Sequence, residues 1–259
     1  WFWPPCSVSV IVAFAKVLSP QSYLRSVDIL SNGDIVAVGY VYGLYGATSF
    51  GSGDFVIQRY TSAGDVVWTH QIGSVGFDLA LGVKCDSADN IYVSGSVQGS
   101  MNGYSFAGAE DGAIIKLDSS GNQLFVVQFG RSGSELGLAT CIDEVNSAFY
   151  LVGISSTSPV GSKNAFVTKF HSETGAILKH IPVTIDGTEF YGCGIDPSGD
   201  LWVGGTTLSN SYYGATGGGA LLQKFGADGS ILFAGVQNGA EAHNFATDSD
   251  DNKYLTGHS

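Results

Sequence analysis

Two short motifs recur along this chain with one shared period, and that repetition restricts its fold more than any other feature. The first is a polar turn followed by a short strand ending in glycine: SNGDIVAVG (31–39), SADNIYVSG (87–95), VNSAFYLVG (145–153), PSGDLWVGG (197–205) and SDDNKYLTG (249–257). The closing glycines Gly39, Gly95, Gly153, Gly205 and Gly257 lie 56, 58, 52 and 52 residues apart. The second is an apolar strand carrying one base: DFVIQRY, DGAIIKL, NAFVTKF and GALLQKF. Its cations Arg59, Lys116, Lys169 and Lys224 are separated by 57, 53 and 55 residues. Two independent anchors keeping one period exclude coincidence and point to a chain built from one repeated unit.

Each period reads as four strands, A to D from the centre outward. In the second copy these are roughly 79–86, 90–96, 112–118 and 123–129. The A–B and C–D turns, such as DSADN and DSSGN, are rich in residues that tolerate left-handed backbone and bond their own main chain. With 37 glycines and no sustained helical periodicity, the chain suits many short strands rather than helices. A four-stranded unit repeated side by side is the signature of a propeller blade. The expected fold is an all-β, single-domain β-propeller of four-stranded antiparallel blades. The repeats run over about 22–78, 79–135, 136–189 and 190–241, with a partial fifth over 242–259. Residues 8–17 align with the D strand around Trp68 at an offset of 56, so about five blades are expected, the last closed by this N-terminal strand.

The repeat resembles the SBBP-type β-propeller repeat, whose pattern is D-x-x-G-N-I-Y-V-x-G, then D-A-F-V-x-K-x-x-x-x-G, then W. It stands here as DSADNIYVSG, NAFVTKFHSETG and DFVIQRYTSAGDVVW. The resemblance covers about residues 22–259, although the third copy, EVNSAFYLVG, lacks the usual turn glycine. It implies a propeller, often in an extracellular or envelope setting, and carries no defined catalytic motif.

A formal charge of −12 repels phosphate backbones and anionic lipid, so neither nucleic acid nor membrane insertion is expected. No run reaches the ~18 apolar residues of a membrane helix. The N-terminal stretch WFWPPCSVSVIVAFAKVLSP ends its apolar run in Ala13-Phe14-Ala15, which resembles a signal-peptidase site but lacks a basic region before it. A folded strand is expected there. Cys141 and Cys193 each stand twelve residues before a closing glycine, at equivalent positions of neighbouring repeats. Equivalent positions are expected to lie beyond the ~7 Å Cα limit of a disulfide, leaving both as buried free thiols.

Strand order places the B–C and D–A loops on one face of the disk. The long B–C loops bring Tyr42, Tyr45, Phe50, Tyr104, Phe106, Tyr212 and Tyr213 to that face. Such aromatics stack on sugar rings or anchor a protein partner, although packing of loops onto blades is the simpler account of them, since isolated exposed aromatics are ordinary. Each D–A loop adds an acid, namely Asp78, Glu135, Glu189 and Glu241, 57, 54 and 52 residues apart. An arc of carboxylates at the channel mouth suits a cation or glycoside chemistry. A residue present in every blade, however, more simply accepts backbone N–H bonds or pairs with a cation.

DSDDN (248–252) falls on an A–B turn and lacks the glycine and distal glutamate of an EF-hand. The five histidines show no zinc-ligand spacing, and no nucleophile elbow, Walker loop or Rossmann fingerprint is present. No metal or cofactor is therefore expected. The sequence favours a non-enzymatic secreted or cell-surface module that binds protein or glycan through its aromatic loops, alone or within a larger assembly. The alternative is a hydrolase or lyase acting on carbohydrate with carboxylates near the channel.

Overall fold

The computed structural model describes residues 22–45, 48–157, 162–183, 187–208, 218–248 and 250–258. Eighteen strands form five antiparallel sheets, and the described residues contain no helix. Blade 1 comprises β1 (Ser22–Ile29), β2 (Ile35–Val41), β3 (Asp54–Tyr60) and β4 (Val66–Ile72). Blade 2 comprises β5 (Leu79–Cys85), β6 (Ile91–Val97), β7 (Asp111–Leu117) and β8 (Gln123–Phe129). Blade 3 comprises β9 (Ser134–Asp143), β10 (Ala148–Thr157), β11 (Ser162–His171) and β12 (Ile177–Pro182). Blade 4 comprises β13 (Thr188–Ile195), β14 (Leu201–Thr207), β15 (Gly219–Phe225) and β16 (Ile231–Asn238). The fifth sheet pairs β17 (Glu241–Thr247) with β18 (Lys253–His258). The expected N-terminal closing strand, residues 8–17, lies outside the described residues.

The sheets pack face to face in chain order because alternate residues of each middle strand point to opposite neighbours. Ile91 and Val93 of β6 join Val36, Val38, Phe55 and Ile57 of blade 1 in one apolar cluster. Tyr92, between them in sequence, points the other way and packs with Phe149, Phe166 and Phe170 of blade 3. Blade 3 turns Tyr150, Val152 and Val167 toward Val203 and Leu221 of blade 4. The middle strands β2, β6, β7 and β10 are thus buried on both faces, which is why they read as nearly continuous apolar runs. Each fully buried Phe of the blade 2–3 cluster contributes about 1.5–3 kcal/mol of transfer free energy.

The first strands are innermost: β1 packs on β5, β5 on β9, β9 on β13 and β13 on β17. All five carry a β-bulge at the same place. The unpaired residue is Arg25, Leu81, Leu138, Tyr191 or His243, each directly beside the residue facing a closing glycine. This explains the glycine of the first sequence motif. A Cβ at Gly39, Gly95, Gly153, Gly205 or Gly257 would strike the backbone carbonyl of Tyr23, Leu79, Leu136, Glu189 or Glu241. The bulge kinks the inner strand inward, and only a residue without a side chain accepts the displaced carbonyl.

Inward convergence also corrects the expectation for the cysteines. Cys141 on β9 and Cys193 on β13 are disulfide-bonded, with Cα atoms 5.8 Å apart. Equivalent positions of adjacent repeats are far apart at the rim, but the blades taper toward the axis. On the innermost strands the separation falls within bonding range. Cys85 is a free thiol, pushed up to about 12 by burial and by nearby carboxylates.

The single base of each C strand ties blades together. Arg59 pairs with Asp34 at 2.6 Å and donates to the Ser119 carbonyl of blade 2. Lys116 donates to the Ser172 carbonyl of blade 3 at 2.8 Å and lies over the Tyr92 ring. Ser119 and Ser172 are themselves equivalent, each three residues after the cation of its own blade. Lys169 lies 5.0 Å from the Tyr150 ring centroid, while Lys179 takes over the reach to the next blade at the Asp228 carbonyl. Lys224 pairs within its blade with Asp196 (2.9 Å) and Asp200 (2.8 Å). The carbonyl of the next blade is the partner that recurs, in blades 1 and 2, whereas the remaining partners of the four cations differ from blade to blade.

Two outcomes follow. Gly153→Ala should destabilise the fold by about 1–3 kcal/mol or more in urea unfolding, as overpacking against a fixed backbone does. A neutral effect would mean that the bulge is not rigid. Burial pushes the Asp34 and Asp196 carboxyls up, but the bonds from Arg59 and Lys224 outweigh it and hold both below the ordinary carboxylate range. A depressed folded-state pKa gives stability that is complete above about pH 4 and is lost as pH falls through the folded value. Arg59→Met should therefore cost about 1–3 kcal/mol near pH 7, with the difference from wild type shrinking below about pH 3. A deficit independent of pH would assign the arginine to packing alone.

Candidate functional site

The loop between β2 and β3 and the loop between β6 and β7 are held by the same device. Asp54, fully buried at the start of β3, accepts the Phe50 N–H (3.0 Å) and the Gln71 side-chain amide (2.7 Å). Gln71, on β4, also donates to the Gly43 carbonyl and accepts the Tyr45 N–H. One blade on, Asp111 accepts the Ala107 N–H (3.1 Å) and the Gln128 amide (2.8 Å). Gln128 donates to the Gly99 carbonyl and accepts the Met101 N–H. These buried, charge-assisted brackets fix the loop backbones. Blades 3 and 4 carry Asn164 and Gly219 at the aspartate position, and Pro182 and Val236 at the glutamine register. Neither pair can form the bracket. The aspartates and the glutamines are each 57 residues apart, so the repeat itself held the signal.

On these loops Tyr42 (41% exposed), Phe50 (46%) and Tyr104 (40%) present aromatic surface. Tyr42 is backed by Phe77, stacked at 5.4 Å, and by Tyr40 edge-on at 5.7 Å. Tyr45 is half-buried and its hydroxyl accepts from Gln58, so much of its ring serves the loop itself. Phe106 is half-buried, with its N–H on the Ser100 hydroxyl. Tyr212 and Tyr213 lie outside the described residues. The B–C and D–A loops do share a face, joined by short bridges at Gly53–Phe77 and Glu110–Ser134.

The four repeat-related acids diverge in environment. Asp78 is fully buried, accepts the N–H and hydroxyl of Ser74 and the Gln98 N–H, and is pushed up by burial. Glu135 is likewise buried and raised, accepting the Arg131 N–H and the Ser155 hydroxyl. Both are loop brackets. Glu189 pairs with Lys163 at 2.9 Å and accepts the Tyr191 hydroxyl. Burial, followed by that carboxylate, raises Tyr191 above the ordinary phenol range. Glu241 is exposed and faces His243 and His258, 3.8 Å from an imidazole nitrogen of each.

All five inner strands line one cavity of about 410 Å³, and every bulge residue reaches it. The lining they form is asymmetric. Leu81 and Leu138 are apolar, whereas Arg25, Tyr191 and His243 are polar. The bulge adds one unpaired residue per blade, and in each blade that residue is a channel residue. Reading the motifs alone missed this position because it carries no common residue type.

The chain matches no family model and no curated protein. Solved structures resemble it in fold. One is the hydrazine synthase of Kuenenia stuttgartiensis, with a TM-score of 0.56 at 12% identity over 93% of this chain and 75% of that one. Another is the Dos1 propeller, with a TM-score of 0.52 at 10% identity over 93% of this chain and 67% of that one. At these identities the likeness is one of architecture, and the architecture is a β-propeller.

Proposed function

We propose that this chain is a non-enzymatic, secreted or cell-surface β-propeller that binds a glycan or protein through the loop face of blades 1 and 2. The observation that carries the reading is the pair of Asp–Gln brackets. They hold long, aromatic-tipped loops rigid before any partner arrives, which lowers the ordering cost of binding. Exposed Tyr42 and Tyr104 supply amphipathic contact area, and Phe50 apolar area, of the kind that dominates recognition surfaces. The Cys141–Cys193 disulfide supports an oxidising compartment, and the resemblance to SBBP-type repeats agrees with a surface setting. In this reading there are five blades.

A carbohydrate-active enzyme is the second reading, favoured by one observation. Glu189, Tyr191, Glu241 and His243 gather on adjacent inner strands, as an acid–base group would.

Binding of the full chain to an array of surface polysaccharide fragments, with cross-linking to capture protein partners, tests the proposal. Phe50→Ala and Tyr104→Ala should each weaken binding by about 1–3 kcal/mol with an unchanged thermal midpoint. Unchanged binding in both would remove the loop face from consideration. Turnover of a bound glycan that is lost in Glu241→Gln would establish the enzyme instead.

A further inference from the structure

We infer that Glu241, His243 and His258 form a binding site for one divalent transition-metal ion. The site is independent of the aromatic loops and lies beside the channel, in the fifth sheet. Its ligands come from one hairpin. Glu241 and His258 are direct cross-strand partners of β17 and β18, and His243 is the bulge residue of β17. The two imidazoles lie nearly parallel, at 12° with centroids 4.9 Å apart, and bring His243 Nε2 within 3.0 Å of His258 Nδ1. One donor atom from each of the three residues falls within 4.8 Å of the others.

These distances suit an ion. Zinc binds imidazole nitrogen at about 2.0–2.1 Å and carboxylate oxygen at about 2.0–2.2 Å, so neighbouring donors on one tetrahedral ion stand about 3.3–3.5 Å apart. The nitrogens stand a few tenths of an ångström closer than that and Glu241 Oε2, 3.8 Å from His243 Nε2, a few tenths farther, so small rotations of these exposed side chains bring the three donors onto one ion. The set also selects the ion. Two imidazoles favour zinc, copper or nickel, whereas calcium and magnesium prefer oxygen donors. Three protein ligands leave coordination positions for water or for an oxygen-bearing ligand at the channel mouth. A hydrogen bond between two neutral imidazoles would give the same nitrogen separation, and it makes no demand on Glu241 or on added metal.

Dialysis of the intact protein against a chelator, then titration with Zn²⁺ in competition with a chromophoric chelator, separates the two. The proposal expects one equivalent bound, with affinity falling at acidic pH as protons compete for the imidazoles. The His243→Ala/His258→Ala pair should lose at least about 100-fold in affinity, beyond the 10–100-fold effect of an outer-shell partner. Glu241→Gln should weaken binding with the far-UV spectrum preserved, and His171→Ala should leave it unchanged. Co²⁺ in place of Zn²⁺ should give a visible absorption band that the double variant lacks. Absence of stoichiometric binding would overturn the inference, as would binding undiminished in the double variant.

Discussion

The constraint on which the rest of this structure depends is the crowding of five inner strands around one axis. Blades are wide at the rim and must narrow at the centre, so the innermost backbones approach closely. The chain meets this with a bulge in every inner strand and a glycine opposite it on the next strand. The same crowding leaves small residues where inner strands touch. A Cβ at Gly192 would strike Phe245 of the fifth sheet, and one at Gly82 would press on Leu138 and Ala139 of blade 3.

The bulge links architecture to chemistry. An unpaired residue is free of the ladder's alternation and turns toward the channel, so its identity can vary without disturbing the blade. Across the five copies that position holds arginine, two leucines, tyrosine and histidine. The closing glycine beside it never varies. A propeller of this design therefore separates its structural code, which repeats, from its channel lining, which does not. The loop face shows the same division. Asp78 and Glu135 keep the bracketing role of a repeated acid, while Glu189 and Glu241 at the equivalent positions have acquired tyrosine, lysine and histidine neighbours.

Much of the fold was legible in the sequence because strand alternation and turn chemistry are local. In blade 2 the four strands lie within one residue of the expected bounds. The cysteine pairing was not legible, since the repeat period gives sequence distance and says nothing of radial position. Cys141 and Cys193 bond because they sit on inner strands, where the taper is strongest. The histidine group escaped notice for a related reason. His243 and His258 are fifteen residues apart with no motif spacing, and only the register of β17 on β18 brings them together. Tyr45 illustrates the limit of reading a loop by composition: its ring reads as a contact residue, yet its hydroxyl and amide are spent on Gln58 and Gln71.

Convergence of adjacent repeats on one axis is the central claim, and the cysteine pair reports on it directly. The protein is denatured under oxidising, thiol-blocking conditions, digested without reduction and mapped by mass spectrometry. The account predicts a linked peptide joining Cys141 to Cys193, with Cys85 recovered as a blocked free thiol. Cys141 and Cys193 recovered as blocked thiols, or joined to other cysteines, would contradict the packing of β9 against β13 and with it the inward convergence of the blades.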